Sequence, residues 1–164
     1  MKKPEKPKNQ KTIRFFQPIL RFLKQGIEPK QLALTIAIGA TIGISPLYGL
    51  TTIICALIAV TCKMNLAAIQ LANYMVYPLQ LLLIIPNIRA GEWLFRRTPI
   101  PLSIEGIQNL FSESWTSGLL TFGKSILTGS AFWLLYALPL GAGIFLILLP
   151  QLKKANSTFF HGKG

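Results

Sequence analysis

Residues 31–62 carry no formal charge, and neither do residues 64–88 or 125–152. A helix needs about 20 apolar residues to cross a hydrocarbon core of roughly 30 Å, so the second and third runs each suffice for one crossing. The first run constrains the fold most, because it does not divide evenly. Two apolar halves, LALTIAIGATIGI (32–44) and LTTIICALIAVT (50–61), flank Ser45-Pro46-Leu47-Tyr48-Gly49. Each half gives about 20 Å of helix, and the whole run as one helix would measure about 48 Å. The halves are too short to cross alone, and the whole is too long without strong tilt. Pro46 removes an amide donor and disfavours helical geometry at Ser45, while Gly49 permits a sharp turn. A re-entrant helical hairpin over 31–62, entering and leaving by one face, satisfies these facts. Two short tilted helices or one kinked helix are the alternatives.

Composition agrees. The 164 residues are 51% hydrophobic and only 13% charged, against roughly 25% charged in a soluble domain. There are 17 Lys and Arg against 5 acidic residues, and nine of the basic ones lie within the first 30 positions. A uniformly basic soluble chain would point to nucleic acid. Here the bulk of the chain is uncharged, with most charge at the ends and in one connector and single lysines at 63 and 124, so no nucleic-acid partner is expected. The fold expected is all-α: a polytopic membrane protein with an amphipathic N-terminal helix, the hairpin and about two transmembrane helices.

The segments follow. Residues 1–11 (MKKPEKPKNQK) read as a basic disordered tail. Residues 12–27 mix Ile19, Leu20, Phe22 and Leu23 with Arg14, Arg21 and Lys24, the pattern of a helix lying in the interface. Its basic groups would favour anionic lipid headgroups or simply hold the amino end inside. The membrane domain is 28–152, with spans at 64–88 and 125–150 and a polar connector at 89–113. That connector holds three arginines and three glutamates. Residues 153–164 form a second basic tail. The positive-inside rule then places both termini in the cytoplasm, and the inner membrane of a bacterium is the expected location.

Small residues recur along the first run. Gly39 and Gly43 form a small-xxx-small step that admits another helix backbone, either the hairpin's own mate or a second copy of the chain. Neutral polar residues also fall within the runs, including Ser45, Thr51, Asn65, Asn73, Tyr77 and Gln80. Asn65, Asn73, Tyr77 and Gln80 recur at helical spacing, which reads as interhelical hydrogen bonding or as a polar seam beside the hairpin tip. In the second case, broken-helix ends would offer free N–H groups to an anionic substrate.

No catalytic set is visible. The one histidine, His161, lies near the carboxyl end, and Cys55 and Cys62 are seven apart in an apolar run without a His or acidic partner. That spacing matches no zinc pattern. Phosphate-binding and dinucleotide loops are absent from the sequence. The expectation is a protein that is not an enzyme, with no metal and no cofactor.

Gly26-Ile-Glu-Pro29, Ala33, Ala37, Gly39, Gly43, Pro46, Gly49 with Thr51, and Asn65 together resemble the bacterial membrane family called domain of unknown function 2062. Pro78, Gly91 and Gly129-Ser130 resemble its later positions, although Tyr77-Pro78 stands where the family often has Asn-Pro. The resemblance implies an integral membrane protein, sometimes attached to envelope glycosyltransferases, with no established reaction. The small residues, the turn and the neutral polar residues together give a candidate substrate or packing site of Gly39, Gly43, Ser45, Pro46, Gly49, Thr51, Asn65, Asn73, Tyr77 and Pro78. Two functions are expected: transport or lipid translocation, from the broken helix and its polar residues, or anchoring of an envelope glycosyltransferase through the basic amino end and the glycine face.

Overall fold

The computed structural model describes residues 27–101 and 103–161, and among these there are six helices and no strand. The basic tail 1–11 and nearly all of segment 12–27 lie outside the described residues. Helix α1 spans Pro29–Gly43, α2 Leu50–Thr61, α3 Leu66–Met75, α4 Tyr77–Leu94, α5 Ile104–Glu113 and α6 Trp115–His161.

Proline opens α1, where a missing N–H removes nothing. The helix ends at Gly43 because Pro46 cannot extend it. Three residues later Gly49 takes φ 81°, in the left-handed region that costs glycine little. The chain reverses there into α2. The two arms close into a hairpin whose ends meet: Gln31 Nε2 donates to the Lys63 carbonyl at 3.4 Å. Ile42, Cys55 and Ala59 pack between the arms, together with Ile69 of α3.

Helix α3 begins at Leu66, with Asn65 as its N-cap; Asn65 Oδ1 accepts from Ala68 N at 2.8 Å. It runs beside α1 in the same direction. Ala68 packs with Leu32 and Ala33 near the start of α1, Gly39 lies against Ile69 and Ala72, and Gly43 lies against Asn73 and Val76. The face that Gly39 and Gly43 present is therefore covered by α3. At Val76 the chain bends by 61° into α4, which opens with Pro78 in its first turn. The run expected as a span over 64–88 is thus a bent pair of helices, which together are long and apolar enough for one crossing. It also continues to Leu94, because Arg89 and Glu92 neutralise each other at 2.9 Å along the helix.

The 47 residues of α6 make a spine about 70 Å long, starting ten residues before the uncharged run. It lies antiparallel to both α1 and α4. Leu152 packs with Leu32, Trp133 Nε1 donates to the Thr41 carbonyl at 3.2 Å, Tyr136 donates to Asn87 at 2.8 Å, and Gly91 abuts Thr128. The carboxyl half of α6 carries α1 and its amino half carries α4. The hairpin tip consequently sits level with Trp133–Gly141, near the middle of the apolar stretch.

Among the described residues one helix, α6, is long and apolar enough to cross a membrane, and the bent pair α3–α4 makes a second if taken as one span. Only 6% of the apolar stretch of α6 is buried. Leu134, Leu135, Leu138, Leu146 and Ile147 point outward. In water, exposure on this scale would be a large contiguous apolar patch.

Candidate functional site

Four chain breaks meet near one point: the end of α1, the start of α2, the end of α3 and the start of α4. Each break frees backbone groups that a continuous helix would pair. The start of α2 and the start of α4 have no side-chain cap. Their N–H groups carry the positive end of the helix dipole toward this region.

Buried polar side chains gather at the same point. Ser45, Asn73 and Gln80 are all 0% exposed, and Thr41 and Thr51 are nearly so. Gln80 Nε2, from the first turn of α4, donates to the Ser45 carbonyl at 2.9 Å. It ties the hairpin turn to the bent pair. Asn73 Oδ1 lies against Gly43; a Cβ there would come within 2.8 Å of it. Yet Ser45 Oγ, Gln80 Oε1 and both amide atoms of Asn73 have no hydrogen-bond partner among the described residues. Each such group costs about 1–3 kcal/mol when buried unpaired. Four of them within one small region, on three different elements, are not a packing accident of a single side chain.

The polar track continues along α4. Asn87 lies seven residues beyond Gln80, hence on the same face, and it is buried against Tyr136 with its Nδ2 unpaired. One turn below the tip, a groove of about 720 Å³ opens between α1 and α6. Its walls are Ile38, Thr41, Trp133, Ala137, Leu138 and Gly141, almost wholly apolar. Ser45, Asn73 and Gln80 are not among the groove's lining residues, so the buried polar cluster and the apolar groove are neighbouring features on either side of the end of α1.

The sequence-derived residues divide. Gly43, Ser45, Pro46 and Asn73 converge at the tip, with Gly39 one turn away on the α1–α3 contact. Thr51 is buried in the first turn of α2 and Gly49 is the exposed turn residue. Tyr77 stacks on Tyr48 with ring centroids 5.4 Å apart, at the rim, and Pro78 is exposed. Asn65 does not join them. It caps α3 at the opposite end of that helix, because the spacing argument holds only within one continuous helix and α3 starts after it. Asn87, Tyr136 and the Thr41–Trp133 contact were not anticipated. The seven-residue step from Gln80 to Asn87 was the one signal available for them. Among the described residues no group of His, Cys, Asp and Glu could hold a metal ion.

No curated protein and no solved structure matches the chain. A family model matches residues 13–157, nearly the whole length, and the glycine-rich α1, the Pro46 turn and the Gly91–Gly129 crossing all lie within it. The chain belongs to the uncharacterised bacterial family DUF2062.

Proposed function

We propose that this protein is embedded in the inner membrane and passes a polar or lipid-linked envelope intermediate along the site at the hairpin tip. The observation that carries the reading is the set of buried, unpartnered polar atoms on Ser45, Asn73 and Gln80. With α6 and the bent pair as the two crossings, the tip lies at mid-depth, where unpaired polar groups cost most. Broken helices meeting at the midplane are how secondary transporters build substrate sites. The apolar surface of α6 supports the embedding, since burial inside the protein does not account for it. In this arrangement α1–α2 is a re-entrant hairpin and both termini face the cytoplasm, on the side of Lys153 and Lys154.

A second reading has its own support. The wide exposed face of α6, with Leu134, Leu138 and Leu146, is suited to holding another membrane protein, such as an envelope glycosyltransferase or a second copy. An anchor of this kind needs no access to the tip.

Labelling separates the two. In a background lacking Cys55 and Cys62, cysteine at Ser45 or Leu47 is challenged with impermeant thiol reagents from each side of proteoliposomes. Transport predicts labelling that shifts sides as candidate lipid-linked sugars are added. Protection from both sides, in protein that melts normally, would leave anchoring as the function.

A further inference from the structure

At the far end of α4 from the hairpin tip, a pocket of about 580 Å³ is lined by Arg89, Glu92, Trp93, Leu94, Arg96 and Arg97. We propose that it binds a phosphate group, carried by an anionic lipid headgroup or free in solution. The proposal depends on the membrane placement above only for the lipid source, and not at all on transport.

The pocket's charge is arranged rather than incidental. Glu92 is 1% exposed, and both of its carboxylate oxygens are used: Oε2 accepts from Arg89 Nη1 at 2.9 Å and Oε1 from Ile100 N at 3.1 Å. The one acid is thereby neutralised by Arg89, while it also holds the following loop against the helix end. Arg96 and Arg97 are left exposed, and among the described residues neither guanidinium has an acidic partner. Two uncompensated guanidiniums beside a third present several N–H donors to one concavity, which is the geometry that phosphate oxygens accept.

The backbone adds a second observation. Helix α4 ends in a Schellman motif, with Arg97 N bonded to the Glu92 carbonyl at 2.9 Å and Arg96 N to the Trp93 carbonyl at 3.2 Å. The motif places its key residue in the left-handed region, and glycine usually stands there. Here Arg96 does, at φ 50°. The motif fixes where the Arg96 side chain leaves the helix end; Lys63 holds the same left-handed position at the end of α2, at φ 52°, so the strain is not itself a mark of the site.

Location is the third. The pocket lies at the opposite end of the molecule from Lys153 and Lys154, so in the membrane its arginines run against the positive-inside bias. Exposed Trp93, Leu94 and Phe95 beside them suit the boundary between headgroup and acyl chain. Trp93 and Leu94 also line the pocket, so a phospholipid could place its phosphate on the arginines and its glycerol beside the indole.

Native mass spectrometry of the full chain, gently extracted, tests this with three probes: phosphatidylglycerol, phosphatidylcholine and inorganic phosphate. Phosphatidylglycerol should be retained in preference to phosphatidylcholine. The double variant Arg96→Gln/Arg97→Gln should lose that retention by roughly 30-fold, the surface attraction of two arginines. Both side chains are exposed, so its unfolding temperature should stay at the wild-type value. Lys63→Gln, at another exposed helix end, should behave as wild type. Arginine-dependent binding of inorganic phosphate without lipid preference assigns the site to a soluble phosphate and upholds the pocket. Equal retention of both lipids with no arginine-dependent phosphate binding overturns the proposal, as does unchanged binding of every probe in the double variant. Should the protein prove freely soluble without detergent, the membrane reading fails, and the phosphate arm still tests the pocket.

Discussion

Replacing Gly39 by alanine adds one methyl group where the backbones of α1 and α3 approach closely. The added Cβ would sit 2.5 Å from the Ile69 carbonyl oxygen and 3.1 Å from Ala72 Cβ. A backbone oxygen inside a helix cannot rotate away, so α3 must move outward by roughly 0.9 Å to restore ordinary contact. A gap of that size forfeits about a quarter to a half of the dispersion energy between the atoms it separates. The contact is made by Ile69 and Ala72, both buried, and overpacking of this kind costs about 2–3 kcal/mol. Alanine returns about 1 kcal/mol through its better helix propensity. The net expectation is a loss of about 1–2 kcal/mol, which lowers the unfolding temperature by about 2–8 °C in a chain this long. Gly143→Ala is the matched control: it is also within a helix, but a Cβ there meets nothing within 4 Å. It should hold or raise the unfolding temperature. Both variants are compared by near-ultraviolet circular dichroism during heating in one detergent. If Gly39→Ala melts at or above wild type, α1 and α3 do not make this contact.

Two further outcomes are expected. Arg96→Gly should raise stability by about 1 kcal/mol, by releasing the left-handed strain, while weakening phosphate retention; a fall in stability would show that the Arg96 side chain braces the loop. Topology reporters fused after Gly164 and inserted at Pro99 should report opposite sides of the membrane, and the same side for both would exclude one span in α6.

The break at Ser45-Pro46 and the turn at Gly49 were legible because proline and glycine act through their own backbone chemistry, whatever surrounds them. The closeness that Gly39 and Gly43 permit was legible for the same reason. Their partner was not, since a small-residue step says that something approaches without saying what. Here it is α3, whose boundary with α4 the sequence did not mark within the 64–88 span, because Val76 is no helix breaker and Pro78 is compatible with a helix start. The end of α4 was hidden too: Arg89 and Glu92 look like a polar connector until their ion pair is seen. At the site, Ser45 and Asn73 were legible as polar residues within apolar runs. The role of Asn65 was not, because helix register had to be known first. Tyr136 lies 49 residues from Asn87, a pairing that no local pattern encodes.

The central claim is that the buried polar atoms at the hairpin tip serve a passing substrate and not the fold. Asn73→Leu tests it most directly. Leucine is close to asparagine in shape and removes two buried atoms that have no partner among the described residues. Each unpaired group costs about 1–3 kcal/mol, so the variant should unfold at a temperature equal to or higher than wild type. In the same variant, cysteine at Ser45 should lose any labelling that responds to substrate. A stable protein with an unresponsive tip is the expected result. A drop of several degrees in unfolding temperature would mean that the Asn73 amide is a structural bond within the fold, and the site reading would be contradicted.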